Sequence, residues 1–302
     1  MMDGPEAKLE FTASPLVLQV GSSIKERRID KYLQGRFSNY SRRFMQEVIK
    51  SGHVKIKGKT VKPSYKLSPG EVIELVLPEP QAKEITPENI PLDIIFEDQD
   101  IIILNKPTDI IVHPARAHKS GTLVNALAFH CEQLSSGLGE FRPGIVHRLD
   151  RNTTGVMVAT KNDEAQWKIA KQFENREVNK AYLAIAHGAP QLHADRINAP
   201  LGVHPRIREK YAVRLETGKK STTFYEVLEA FQGFSLLKLS PKTGRTHQIR
   251  VHLSHIKHPI IADDMYGGKL VYPWQLQNGE STVQEPVIAR CALHAWTLEF
   301  KH

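Results

Sequence analysis

The feature that most constrains the fold is a break at residues 78–91, PEPQAKEITPENIP. Four of its positions are proline and its apolar residues follow neither a helical nor a strand period, so no regular element runs through it. A chain of 302 residues interrupted there leaves a small module in front of a domain of 211 residues, both large enough to build a core. The expected organisation is a flexible tail at 1–16, a first domain at 17–77, a linker at 78–91 and a second domain at 92–302.

Charge follows the same division. Residues 21–66 hold 13 Lys and Arg against Glu26, Asp30 and Glu47, a net of +10, while the other 256 residues carry 28 basic and 30 acidic side chains, a net of −2. A small folded unit tolerates that self-repulsion poorly without a polyanion, so the module reads as a nucleic-acid binder. Hydrophobic content of 40% and charged content of 25% are ordinary for globular chains and exclude low-complexity classes. Two cysteines, Cys131 and Cys291, exclude a disulfide framework or a multi-thiolate zinc site within one chain and fit a reducing compartment. No apolar run approaches the roughly 18 residues of a membrane helix, and MMDGPEAKLE has no secretory or organellar pattern. A cytoplasmic protein without a membrane partner is expected.

Within the basic module a short helical stretch covers 24–33. Ser41 then suits the N-cap of a helix that buries Phe44, Met45, Val48 and Ile49, ends at Gly52, and leaves Arg42, Arg43 and Lys50 outside. HVKIK at 53–57 alternates, burying Val54 and Ile56 while presenting Lys55 and Lys57, with a turn at Gly58-Lys59 and another strand at 72–77. Beyond residue 92, β-rich runs at 94–96, 101–104, 156–158, 182–186, 222–228 and 234–239 are interrupted by helical patterns at 123–134, 162–175 and 246–256. Because the two types do not alternate regularly, the expected class is α+β with a mixed or antiparallel sheet.

Two strings concentrate chemistry. GIVHRLDRNTTG at 144–155 sets Asp150 between Arg148 and Arg151 with His147 nearby, and its Ile145, Val146 and Leu149 imply partial burial, so the carboxylate needs a partner. In SPKTGRTHQIRVHL at 240–253 a turn leads to a helix capped by Thr246, on which His247, Arg250 and Ser254 share a face. Arg250 is the candidate cation for Asp150, which it would hold ionised. His252, His255 and His258 lack a carboxylate or cysteine that would complete a metal set and read as surface or nucleic-acid-facing groups. A hydrolase using His147 and Asp150 is disfavoured because neither GxSxG nor HExxH occurs.

Both strings resemble the central motifs of the RluA-type RNA pseudouridine synthases. LNKP at 104–107, KAY at 180–182, PIIAD at 259–263 and LHA at 293–295 fall in that family's order across 92–302. The core of the first module, YSRRFMQEVIKSGHVKIKGKTV, resembles the αL RNA-binding domain shared with a ribosomal small-subunit protein. The resemblance implies a mixed-sheet catalytic domain behind a small α/β RNA-binding domain, isomerising uridine in RNA to pseudouridine without metal or organic cofactor. Length and the companion domain point to large-subunit ribosomal RNA, with transfer RNA as the alternative substrate and a monomer as the acting form.

The resemblance also implies roles. Asp150 matches the catalytic aspartate, attacking the nucleoside or removing a ribose proton, and Arg250 steadies it. Tyr182 matches a tyrosine that stacks on the target base and helps carry the proton from carbon 5. Arg148 matches a residue that enters the RNA in place of the extruded nucleotide. His147, Arg245, His247, Arg42, Arg43, Lys55 and Lys57 are the further RNA-binding candidates, while Leu149 and Gly155 are structural. The chain departs from the family pattern with Ala262 for glycine, with Arg151-Asn152 for Lys-Asp, and in stopping at Phe300-Lys301-His302 where relatives continue through another strand. The competing reading is an RNA-binding or ribosome-assembly factor with an idle catalytic domain; the presence of Asp150, Tyr182 and Arg250 argues against it.

Overall fold

The computed structural model describes residues 15–302 apart from 22–23, 25–26, 38–39, 41, 78–84, 115–119, 136–141 and 277–281. The expected tail up to residue 14, the Ser41 cap, the first half of the linker and the side chain of Arg43 lie outside the described residues. Contacts divide the chain into two units, the first of residues 1–85 with 136–143 and the second of residues 86–135 with 144–302.

The first unit contains β1 (Leu16–Gln19), α1 (Ile29–Arg36), α2 (Arg42–Lys50), β2 (Val54–Ile56), β3 (Lys59–Thr60) and β4 (Val72–Leu75), with an antiparallel sheet in the order β1-β4-β2-β3. Leu16, assigned to the tail from sequence, opens β1 and pairs with Leu75. Its side chains are mostly exposed, so backbone pairing at an edge, which leaves no apolar period, makes this strand. Helix α1 starts five residues later than expected because Arg28 is extended and bridges Lys66. Helix α2 buries Met45, Val48 and Ile49 as its spacing requires, and Gly52 closes it with φ +84°. Val54 and Ile56 are buried and Lys55 is exposed. Lys57 leaves the strand: Lys57 and Gly58, at φ +52° and +72°, make the turn, and Lys59 already begins β3.

The second unit contains β5 (Ile94–Glu97), β6 (Ile101–Lys106), α3 (Leu123–His130), β7 (Thr154–Thr160), α4 (Asp163–Asn175), β8 (Asn179–His187), β9 (Ala194–Asn198), β10 (Leu201–Val203), β11 (Tyr211–Val213), β12 (Thr222–Phe231), β13 (Phe234–Pro241), α5 (Gln248–His255), α6 (Pro273–Leu276) and β14 (Leu293–Glu299). Its eight-stranded sheet runs β5-β6-β7-β14-β8-β13-β12-β9, with β7 and β14 parallel and every other neighbour antiparallel, so the mixed α+β class is present. The small β10-β11 hairpin stands apart from it. Residues 86–91, expected as linker, are anchored to this unit: the Asn125 side chain donates to Thr86 O, and Glu88 N–H donates to Asn125 O. Among the described residues no helix is long and apolar enough to cross a membrane.

The chain's last strand, β14, lies inside the sheet between β7 and β8. That places Gly155 against Ala295, and with φ +117° a β-carbon at Gly155 would collide with the Ala295 carbonyl. Glycine is therefore required where the Asp150 loop enters β7. A large core cluster, including Leu237, Leu239, Leu253 and Ile260, packs α5 on the sheet.

Candidate active site

Loop 147–153 joins the Ile145 bridge to β7 and displays Asp150. Leu149, only 5% exposed, pins the loop to the core, while Arg148 on its other side is exposed. Thr153 N–H donates to Asp150 O, closing a turn. Lys106, at the end of β6, is wholly buried, and its ammonium donates to the carbonyls of Pro107 (2.8 Å), Ile110 (2.9 Å) and Arg151 (3.0 Å). It thus ties two loops together beneath Asp150. Burial moves its pKa down to about 8 against the attraction of Asp150 and Asp109. Sequence reasoning placed this lysine only in a motif; a single Lys ending an apolar strand was the signal.

The first turn of α5 brings up the partner. Arg250 Nη1 donates to Asp150 Oδ2 at 3.2 Å, as expected, but its tighter bonds go elsewhere. Nε and Nη2 form a bidentate pair with Asp263 at 2.8 and 2.7 Å, and the Asp263 side chain is fully buried. The Tyr266 ring lies 5.0 Å from the guanidinium carbon. Arg250 is therefore aimed by Asp263 and Tyr266 and shared with Asp150, and its pKa rises through the bond to Asp263 and the attraction of both carboxylates in spite of burial. Asp263, not assigned a role from sequence, lies in the PIIAD string.

Helix α5 starts at Gln248, and its cap is His247 in left-handed geometry, φ +55°, not Thr246. Gln248 fastens the preceding turn: Thr243 Oγ1 and Arg245 N–H donate to its oxygen, and its amide donates to Thr222 O and Thr223 Oγ1. His247 Nε2 is 3.9 Å from Asp150 Oδ1, and its Nδ1 is 2.8 Å from the Tyr266 hydroxyl, which accepts Tyr211 N–H. Burial lowers the His247 pKa, favouring the neutral ring. Tyr182, on β8, lines the same cavity, and burial together with Asp150 raises its pKa, keeping the phenol protonated.

One histidine assignment needs correction and another gains a structural role. His147 stacks on Phe173 (4.7 Å between centroids) and its Nε2 accepts Val158 N–H at 3.1 Å, and burial beside Lys180 lowers its pKa to about 3. It is a neutral loop anchor that also lines the cavity. His252 is fully buried among Ser221, Thr223 and Ala199, not on the surface, because it projects from the sheet-facing side of α5. His255 is exposed and His258 bonds His187 O, so the three share no centre.

The resulting cavity has a volume of about 760 Å³, suited to a nucleotide-sized ligand. Asp150, Tyr182, His147, Arg148, Arg245, His247 and Arg250 all line it, and its seven Lys and Arg face only two carboxylates, Asp150 and Glu174. In the first unit Lys55 is exposed, whereas Arg42 is half-exposed with its inner edge on Asp30 at 2.9 Å.

Comparison with known proteins agrees with this geometry. Residues 100–255 match the RNA pseudouridylate synthase family and residues 27–73 match the S4 domain. Over 278 residues the chain is 40% identical to the uncharacterized RNA pseudouridine synthase YlyB of Bacillus subtilis, spanning 92% of this chain and 87% of that one. It is 38% identical over 285 residues to the ribosomal large subunit pseudouridine synthase D of Xanthomonas campestris (94% and 84% of the two chains). The structure of human RNA pseudouridylate synthase domain containing 1 superposes with a TM-score of 0.53 at 28% identity, covering 70% of this chain and 79% of that one. The chain belongs to the RNA pseudouridine synthase family, and it is an enzyme that isomerises uridine in RNA, preceded by an S4 RNA-binding domain.

Proposed function

We propose that the substrate is large-subunit ribosomal RNA and that Asp150 is the catalytic carboxylate. The observation that carries this reading is the state of Asp150: 21% exposed on the cavity, with Oδ2 on Arg250 and Oδ1 beyond hydrogen-bond reach of His247. A carboxylate oxygen so oriented faces whatever nucleotide enters. Uracil stacked in a helix offers neither ribose nor base face to it, so the target nucleotide leaves the stack and Arg148, exposed beside Asp150, fills the gap. Tyr182 packs on the uracil and, as a phenol that keeps its own proton, relays the proton lost from carbon 5 by taking it on oxygen as it hands its own to solvent. Arg250 offsets the desolvation of the carboxylate and fixes its orientation. The relatives named for the large ribosomal subunit, at 36–39% identity, support the choice of RNA. A monomer acting in the cytoplasm completes the proposal.

Isomerisation releases the hydrogen at carbon 5 of uridine, so tritium release from labelled transcripts measures it. Release from large-subunit RNA, its loss in Asp150→Asn and unchanged RNA affinity of that variant are expected. Turnover by Asp150→Asn refutes the catalytic role, and release from transfer RNA alone refutes the substrate.

A further inference from the structure

Residues 180 and 182 lie two apart on β8 and share a face, so Lys180 enters the cavity wall with Tyr182. Its ammonium lies 5.7 Å from the Phe173 ring centroid and 4.0 Å from where a β-carbon on Gly244 would be, across from the turn that precedes α5. Among the described residues it has no hydrogen bond and no ion pair. Burial lowers its pKa and no carboxylate acts to raise it. Arg148, Arg176 and Lys242, which also line the cavity, are exposed and solvated.

A half-buried ammonium without a counter-ion costs stability that a ligand anion can restore. The cavity's own carboxylates do not fill that place, since Asp150 is committed to Arg250 and Glu174 makes no ion pair with Lys180. Uracil carbonyls are neutral acceptors that a neutral donor would satisfy, whereas three ammonium hydrogens carrying a full charge match a phosphodiester.

We infer that Lys180 holds a backbone phosphate flanking the uridine presented to Asp150, and so sets the depth to which that nucleotide enters. The inference rests on the reading of this cavity as the uridine site. Lys180 is a binding and positioning residue, not a proton carrier.

The test uses the full chain and large-subunit RNA transcripts tritiated at carbon 5 of uridine, with Lys180→Gln, Lys180→Met as a second neutral variant, and Lys180→Arg. Both neutral variants are expected to lower kcat/KM by about tenfold, with KM rising more than kcat falls. The slope of log affinity against log salt is expected to shrink by about 0.7–0.9, the ion released at one phosphate. Lys180→Arg keeps the slope. An unchanged slope in either neutral variant, or a loss confined to kcat, overturns the inference. Filter binding in an Asp150→Asn background reads the slope without turnover, so absence of release by the unmodified enzyme strikes the isomerase reading separately.

Discussion

Two tetrapeptides of this chain are nearly the same: Arg28-Ile29-Asp30-Lys31 in the first unit and Arg148-Leu149-Asp150-Arg151 in the second. Each buries its apolar residue, and each aspartate meets a guanidinium. Their fates diverge. At Asp30 the neighbouring Arg28 folds back and donates through Nε and Nη2 at 3.1 and 3.0 Å, Arg42 adds bonds at 3.2 and 2.9 Å, and Gln46 adds one at 2.6 Å. The carboxylate is fully enclosed and its lone pairs are used; these bonds hold its pKa well below the usual range against the opposing effect of burial. At Asp150 the neighbours turn away: Arg148 is exposed and Arg151 pairs with Asp109 at 2.7 Å. Among the described residues Arg250, itself anchored on Asp263, is the one side chain that donates a hydrogen bond to it, with His247 Nε2 at 3.9 Å. Pairing with arginine thus marks a buried carboxylate of either kind, and the oxygen left open on a cavity distinguishes the one proposed to react.

Breaking the support of Asp150 should have the larger effect. Asp263→Asn leaves Arg250 with half of its bidentate partner, and release at saturating RNA is expected to fall about 100-fold, as misplaced catalytic groups do. Less than threefold loss would show that Arg250 is held mainly by Tyr266 and Asp150. On the other side of the comparison, Asp30→Asn should destabilise the first unit by about 2 kcal/mol in denaturant unfolding, below the roughly 3–5 kcal/mol of a fully buried pair because Arg28 and Arg42 remain 41% and 43% exposed. Since folding lowers the Asp30 pKa, its contribution is present above the ordinary Asp range and lost as pH falls below about 4, and the variant should not share that loss.

Removing residues 1–78 should weaken RNA binding by about tenfold at moderate salt and flatten its salt dependence, because the +10 module goes with them. An unchanged slope would assign docking to the cavity's own cations. The smallest effect concerns His147. Its folded pKa of about 3 lies below the usual value near 6.5, so its stabilisation is complete above pH 6.5 and is lost as pH falls toward 3. His147→Gln, which keeps an acceptor for Val158 N–H, should show a shallower fall in melting temperature of the second unit over that window. Equal slopes would mean that His147 is solvated.

Much of this was legible in sequence because it depends on local spacing: the buried face of α2, the alternation of β2, the helical pattern that becomes α4, and the mixed order of strands and helices. Elements made by backbone pairing were not. β1 carries no apolar period, β9 is a short strand whose partner β12 is distant in sequence, and β10 and β11 are only three residues each. At the site, residues with a charge in a motif could be named and Asp150 could be matched with Arg250, but the groups that hold that pair in place could not. The bond from Arg250 to Asp263 spans a turn that reverses the chain at Ala262, φ +56°, and Lys106 reaches Arg151 across 45 positions. His252 read as a surface group because a polar residue among apolar ones has the same spelling whether it faces water or meets buried partners.

The two aspartates can be set against each other in one assay, tritium release at saturating RNA by Asp150→Asn and Asp30→Asn, each normalised to folded, RNA-bound protein. The account predicts no release from Asp150→Asn and release within about threefold of the unmodified enzyme from Asp30→Asn. Measurable release from the first, or its loss in the second, would contradict it.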